Sequence, residues 1–343
     1  MSYEICNFCV MDSTASEFKK TPTGCNFCDR ARQSLLEIEG EKHLLLERIH
    51  TMRDVKSEYD CLIGLSGGVD SSYALLKALE MDLRPLCFSV DTGWNDRVAD
   101  ENIMKLVEGF GLPFFRYVID IPKFLKLQAS FLESGTKNVE IPTDHILMAV
   151  TMDVAREYGI KTIISGGNVA TESIMPESWG YQPRDLTHIK DIYKRFRGEK
   201  LGGLPTYSLL RFNWDKWVLG IKTFYILDYL DYNRADAIKE LERRVGFVTT
   251  GDKHEENVWT KWFQSFYLYQ KFGIDKRKAH LSSLIVSGQL DRATALETLL
   301  KNPVYPEIGL EKRVMSYPKH KHTEYKTNEF WFHLISKVIR AIR

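Results

Sequence analysis

Two groups of residues in this 343-residue chain have the types and spacing to do chemistry. The first is Leu65-Ser66-Gly67-Gly68-Val69-Asp70-Ser71-Ser72, which joins a short apolar run to a helical pattern. Gly67 and Gly68 allow close backbone approach, and Ser66, Ser71 and Ser72 offer hydroxyl donors. A helix starting here adds unpaired N–H groups and the positive end of its dipole. Together they form an anion cradle sized for more than one phosphate. It lacks the lysine of a Walker loop and the G-x-G-x-x-G spacing of dinucleotide sites. The second group is Cys6, Cys9, Cys25 and Cys28, spaced C-x2-C-x15-C-x2-C with Gly24 beside the third cysteine. Each C-x-x-C turn places two thiolates on one side, and two pairs complete a tetrahedron around Zn²⁺. Four sulfur ligands leave no open position, so the expected site is structural. Metal binding would supply free energy that about 30 residues cannot obtain by burial alone.

The elements that position these groups follow from periodicity. Arg30 to about Arg53 reads as one helix, with Leu36, Leu44, Leu45, Ile49 and Met52 near helical spacing. Tyr59–Leu65, Pro85–Val90, Phe114–Ile119 and Lys161–Ser165 read as buried strands. Helices over Ser71–Met81, Val98–Gly109 and His145–Tyr158 alternate with them. This alternation predicts right-handed crossovers and an α/β, doubly wound parallel sheet that binds ligands beyond its strand carboxyl ends. Val169 to about Pro205 is rich in Gly, Pro and polar residues and reads as a long functional loop region. Phe224–Val245 and Asn257–Phe272 read as helices, the second with an aromatic stripe (Trp259, Trp262, Phe263, Phe266, Tyr267) expected in a core or subunit interface. Phe330–Ile342 reads as a last amphipathic helix. The expected division is a zinc module over 1–54, a nucleotide-binding core over 55–170, and substrate loops with a mainly helical region over 171–343.

Composition narrows the function classes. With 47 Lys+Arg against 46 Asp+Glu, the chain has no global electrostatic footprint for nucleic acid. No uncharged apolar run reaches the roughly 18 residues of a membrane helix, so no membrane insertion is expected. The start MSYEICNFCVMD lacks signal-peptide character, and a cytoplasmic location is expected. Cys61 and Cys87 sit inside strands and read as inert packing residues, which disfavours sulfur insertion. Lys319-His320-Lys321-His322 reads as a solvated basic tract, with contact to an anionic substrate as its alternative. Asp91 after the second strand is either a ligand contact or a turn aspartate.

The loop matches the S-G-G-x-D-S signature of the PP-loop ATP pyrophosphatases, whose fold is adenine nucleotide alpha-hydrolase-like. That resemblance implies ATP held by its β- and γ-phosphates, transfer of AMP to a substrate oxygen, and release of pyrophosphate. It makes Ser66, Gly67, Gly68, Val69, Asp70, Ser71 and Ser72 the nucleotide loop and puts Asp91 near the nucleoside. Gly166, Gly167, Asn168 and Glu172 are similar to the G-x-x-N-x-x-E stretch of NAD synthetase, with one residue more before Glu172. Asp70 and Glu172 are then the candidates to hold Mg²⁺.

The whole chain resembles the N-acetyl sugar amidotransferases of the WbpG and PseA kind. The resemblance is carried by the cysteine pairs with Val10-Met11-Asp12, by Tyr59–Ser72, by Gly251-Asp252-Lys253-His254-Glu255-Glu256, and by Lys271–Ser282. It covers roughly residues 1–305. It implies conversion of a sugar acetamido group to an acetamidino group in surface-polysaccharide or glycan biosynthesis, with ATP, Mg²⁺ and Zn²⁺. Lys253 and His254 would neutralise phosphate charge or guide proton transfer; their alternative is a solvated loop pair. The acceptor is an N-acetylated, nucleotide-linked sugar. No amidohydrolase domain is visible in the chain, so ammonia would come from a separate glutaminase and cyclase-like pair. A tRNA-modifying PP-loop enzyme and a non-catalytic zinc or nucleotide scaffold are the alternatives. The oligomeric state, homo-oligomer included, stays open.

Overall fold

The computed structural model describes residues 3–53, 57–249, 256–328 and 331–332. The amino-terminal residues wrap around the four cysteines and include a two-residue antiparallel ribbon, β1 (Lys20–Thr21) and β2 (Gly24–Cys25). α1 (Asn26–Glu41) begins directly on the second cysteine pair, and α2 (Leu45–Met52) follows a 3-10 turn at Lys42–Leu44. The single helix expected from Arg30 to Arg53 is thus interrupted. Gly40 weakens its end, and Lys42 is drawn to Glu39 at 2.7 Å and Asp231 at 2.6 Å.

The central part alternates strand and helix: β3 (Cys61–Gly64), α3 (Val69–Glu80), β4 (Pro85–Asp91), α4 (Arg97–Phe110), β5 (Phe114–Val118), α5 (Ile121–Ser134), α6 (Ile141–Glu157) and β6 (Thr162–Ser165). After short α7 (Val169–Glu172) come α8 (Leu186–Arg197), α9 (Leu209–Trp217) and β7 (Lys222–Tyr225). All neighbouring strands of this sheet are parallel, in the order β5-β4-β3-β6-β7. The four expected strands are present, and β7 adds a fifth. The chain reverses its direction of travel across the sheet between β3 and β6, which opens a crevice at their carboxyl ends.

Side chains alternate across the sheet, so Leu62, Phe88 and Ile163 join one apolar core while Cys61, Ile63 and Cys87 join the other. Burial on both faces explains the continuous apolar character of these strands. It also raises the Cys61 thiol and pushes Cys87 up to about 12, which makes both inert, as expected.

Three further expectations need correction. The segment over Phe224–Val245 is not one helix: Phe224 and Tyr225 end β7, and α10 (Arg234–Val245) starts only where the Asn233 side chain accepts from the N–H groups of Ala235 and Asp236. The region from Val169 to Pro205 contains α8, capped by Asp185 and ended by Gly198 in the left-handed conformation. The tract Lys319–His322 is not wholly solvated, because His322 is buried.

The remaining helices are α11 (Val258–Trp262), continued by a π-helical stretch over Phe263–Lys271, then α12 (Arg277–Val286), α13 (Arg292–Leu300) and α14 (Glu311–Ser316). The aromatic stripe is core, as expected: Trp259 and Trp262 lie 5.4 Å apart by ring centroids, and Trp262 and Phe266 5.6 Å. Of the expected last helix, Phe330 and 333–342 fall outside the described residues. No described helix is long and apolar enough to cross a membrane.

His322 closes a buried contact between distant segments. The N–H of Asn138 donates to His322 Nε2 at 3.2 Å, so the ring proton sits on Nδ1 and is donated to His188 Nε2 at 2.9 Å. Burial pushes His188 down to about 4 and His322 well below the ordinary range. Both rings are therefore neutral in the fold, whereas the unfolded chain takes up protons below about 6.5. Stability is fully present above that pH and is lost as pH falls toward the folded values, by on the order of 3 kcal/mol for His188 at pH 4. The melting temperature should drop between pH 6.5 and 4.5, and the His322→Gln variant should show a shallower drop; equal slopes would refute this account.

Candidate functional site

The cysteine cluster is built from two turns and one glycine. All four side chains are buried, with Sγ–Sγ distances of 3.8 Å for Cys6–Cys28, 3.9 Å for Cys9–Cys25 and 3.6 Å for Cys25–Cys28. A thiolate tetrahedron with metal–sulfur bonds of about 2.3 Å has edges of roughly 3.8 Å, so the donor set fits Zn²⁺. The N–H groups of Phe8 and Cys9 point at Cys6 Sγ, and that of Met11 at Cys9 Sγ, which favours thiolate charge. Gly24 has φ +138°, and a Cβ there would lie 2.9 Å from Phe8 Cβ and 3.3 Å from two of the sulfurs. The cluster is docked on the C-terminal helices. Arg292 donates to the carbonyls of Cys6 and Cys9 at 2.9 and 3.0 Å, and Val10 N–H donates to Ser282 Oγ at 3.2 Å. Buried Asp12 pairs with Lys278; although burial opposes its charge, bonds from Lys278, Thr14 and Tyr3 hold its carboxyl below the ordinary range.

The glycine-rich loop runs from β3 into α3 at the sheet's reversal point. Gly67 has φ +76°, and a Cβ there would meet the Ala99 carbonyl oxygen at 2.1 Å. Gly166, in the loop after β6, lies so close to α3 that a Cβ would be 2.6 Å from Ser71 N. Within the loop, Gly68 N–H donates to Ser66 Oγ at 3.2 Å, Ser66 and Ser71 share a bond of 3.1 Å, and Ser72 donates to the Gly68 carbonyl at 2.7 Å. Val69 opens α3 and is buried, and Asp70 accepts from the Tyr232 hydroxyl. Asn102 ties the loop to a distant segment by donating to the carbonyls of Gly67 and Val248 at 3.2 and 2.7 Å.

The other expected residues divide. Asn168 caps α7 by accepting from Thr171 N–H and donating to the Gly166 carbonyl, so its amide is engaged within its own turn. Gly167 N–H donates to Ser165 Oγ at 3.1 Å. Glu172 ends α7 near Asp228, whose carboxyl is raised to about 6 by burial and by the Glu172 charge. Among the described residues the cysteines are the one grouping of three or more metal-ligating side chains, so Asp70 and Glu172 form no preformed metal cage with other described residues. Asp91 Oδ1 accepts from Gly93 N–H at 2.8 Å, the turn role, while its neighbours Val90 and Thr92 line a cleft. Lys253 and His254 lie outside the described residues. The flanking Val248 and Glu256 both meet the loop or its clamp: Ser66 Oγ donates to Glu256 Oε1 at 3.2 Å.

That cleft, of about 1200 Å³, extends from Ser66 and Glu256 past β4 to α6 and Lys276. Four buried oxygens on its walls lack a well-formed hydrogen bond among the described residues: Ser89 Oγ, Thr92 Oγ1, Glu140 Oε2 and Thr143 Oγ1, although Thr143 eases the charge of the Glu140 carboxyl. Buried polar atoms are normally paired, so this concentration marks a wall prepared for a polar ligand. Burial, with help from Asp144, pushes the Glu140 carboxyl up to about 8. Burial likewise pushes Lys276 down to about 8, against the pull of Asp144, Glu172 and Glu140. Sequence reasoning assigned no role to Glu140, Asp144, Glu256 or Lys276. Glu256 and Lys276 fall within the two C-terminal stretches that carried the family resemblance; Glu140 and Asp144 belong to no motif.

The purified chain should contain one zinc per molecule by elemental analysis. Cys9→Ser should lose it, and Gly24→Ala should release it to a chelator faster than wild type. Stoichiometric zinc retained by Cys9→Ser would refute the four-thiolate site.

Residues 256–334 match the family described as LPS biosynthesis protein WbpG-like, C-terminal domain. No curated protein sequence matches the chain significantly. Among solved structures, NMN synthetase from Francisella tularensis is similar at 19% identity and TM-score 0.31, over 42% of this chain and 56% of its own. The chain thus spans little more than half of that relative. NH3-dependent NAD synthetase from Campylobacter jejuni is similar at 16% identity and TM-score 0.30, over 63% of this chain and 93% of its own. U34-tRNA thiolase NcsA from Methanococcus maripaludis, solved with its 4Fe–4S cluster, is similar at 13% identity and TM-score 0.34, over 82% and 89%. These likenesses are remote, and the parallel sheet stands on its own strand order. The segment that supplies Glu256, Thr260 and Lys276 to the cleft lies within the match to the WbpG-like C-terminal domain.

Proposed function

We propose that the chain is an ATP-dependent amidotransferase acting on an N-acetyl sugar in surface-polysaccharide or glycan biosynthesis. The observation that carries this reading is the meeting of two parts: Glu256, at the start of the WbpG-like segment, contacts Ser66 of the S-G-G-x-D-S loop across one cleft. The loop hydroxyls and the first N–H groups of α3 suit phosphate oxygens, and β4 suits the nucleoside beside them. Mg²⁺ would be held by Asp70 or Glu172 together with phosphate oxygens, since no carboxylate cage is preformed among the described residues. Zn²⁺ on the four thiolates would be structural.

In the proposed reaction the acetamido oxygen attacks the α-phosphorus of ATP, pyrophosphate leaves, and an O-adenylyl imidate results. Ammonia then attacks the imidate carbon and AMP departs, leaving an amidine. The protein's part is positioning and charge stabilisation. Free ammonia is mostly protonated at neutral pH, which favours delivery by a separate glutaminase and cyclase-like pair.

Incubation with ATP, Mg²⁺, an ammonium salt and N-acetylated nucleotide sugars should yield AMP, pyrophosphate and a product in which NH replaces O, read by mass spectrometry. Asp70→Asn should lower pyrophosphate release by about 100-fold or more. No sugar-dependent AMP with any N-acetylated sugar, or release unaffected by this substitution, would sink the proposal. Glutamine supporting amidine formation by the chain alone would sink the partner part separately.

A further inference from the structure

One wall of the cleft is formed where three separate segments meet. Glu140 sits at the amino-terminal edge of α6, with 7% of its surface exposed. Its backbone N–H donates to Asn138 Oδ1 at 3.1 Å, and Thr260 Oγ1, from the WbpG-like segment, donates to its Oε1 at 3.0 Å. The carboxylate is therefore fixed through one oxygen. The other, Oε2, is shielded from solvent and accepts no well-formed hydrogen bond among the described residues, although the residue lines the cleft. Thr143 Oγ1, on the first turn of α6, likewise lacks a well-formed bond, although its approach to the carboxyl favours the charged form. The charged groups around this point are Asp144 on α6, Lys276 just ahead of α12 and, through Lys276, Glu172 at the end of α7.

A buried carboxylate oxygen without a partner is costly unless a ligand supplies a donor. Phosphate oxygens would not favour this position, because the wall carries two carboxyl groups. A nitrogen nucleophile would. We propose that Glu140 is the proton acceptor for the attacking nitrogen, and that the Glu140–Asp144–Lys276 wall is where ammonia meets the activated substrate. The inference rests on the amidine-forming reading of the site.

The step balances as follows. The lone pair of ammonia forms the C–N bond to the imidate carbon, and one of its three protons passes to Glu140 Oε2. The C–O bond to AMP breaks, and its electron pair leaves on the phosphate oxygen. Glu140 returns the proton to that oxygen, and two protons stay on the amidine nitrogen. Burial supports the assignment, since a carboxyl raised to about 8 is better matched to an ammonium-type proton than an ordinary one. Asp144 and Lys276 are positioning residues that set the charge around it.

The test separates the two halves of the reaction in the full chain. Glu140→Gln keeps the shape and the Thr260 bond. It should lower amidine formation at least about 100-fold while sugar-dependent exchange of labelled pyrophosphate into ATP stays at the wild-type level. Glu140→Asp should recover part of the amidine rate. Plotted against free NH3, the wild-type rate should fall on the acid side with a group near 8, a limb that Glu140→Gln lacks. Loss of exchange together with amidine formation, or an unchanged amidine rate, would overturn the role of Glu140. Absence of sugar-dependent exchange in wild type would instead remove the reaction reading, and this proposal with it.

Discussion

The constraint on which the site depends is the approach of the loop after β6 to the first turn of α3. Gly166 leaves no room for a side chain against the backbone of Asp70 and Ser71. That contact lies at the reversal point of the sheet, where two crossovers diverge and leave the ends of β3 and β6 facing one crevice. If the two loops stood further apart, the serine hydroxyls and the α3 N–H groups would no longer converge on one volume. Gly67, turned into the left-handed region against Ala99, holds the same loop from its other side. The shape of the loop is thus a product of backbone packing before any side chain contributes.

Around this point the protein brings distant segments together through polar contacts. Asn102 joins the loop to Val248, Glu256 reaches Ser66, and Thr260 fixes Glu140. The aromatic stripe behind them explains why these contacts hold position. Trp259, Trp262 and their neighbours fill the core beneath the cleft wall, and rings of this size dominate local packing energy. The C-terminal helices therefore serve as the second wall of the site.

How far the sequence could be read depended on whether a signal was local. β3, β4 and β6 announce themselves because strands buried on both faces are continuous apolar runs. β7 does not, because Lys222–Tyr225 lies at the sheet edge with three of its four residues exposed. α8 was hidden in a polar stretch, although Asp185 and Gly198 marked its two ends. The cysteine spacing and the serine–glycine loop were legible since each packs its chemistry into a few residues. Glu140 was not: it gains its character only from burial, from Thr260 and from Asp144, and no pattern along the chain foretells that meeting. His322 was misread for the same reason, since a basic tract gives no hint that one of its rings lies against His188.

The bonds from Arg292 to Cys6 and Cys9 join residues up to 286 positions apart. With metal bound, they turn the cysteine cluster into a clasp between the beginning of the chain and the helices that carry Lys276 and Lys278. Such a clasp closes nearly the whole polypeptide into a ring whose lock is four thiolates rather than a covalent bridge. Its strength follows thiol oxidation and metal supply, two variables with no direct bearing on the reacting groups. Loss of that metal, or oxidation of the thiols, would loosen the hold of the amino-terminal residues on these helices.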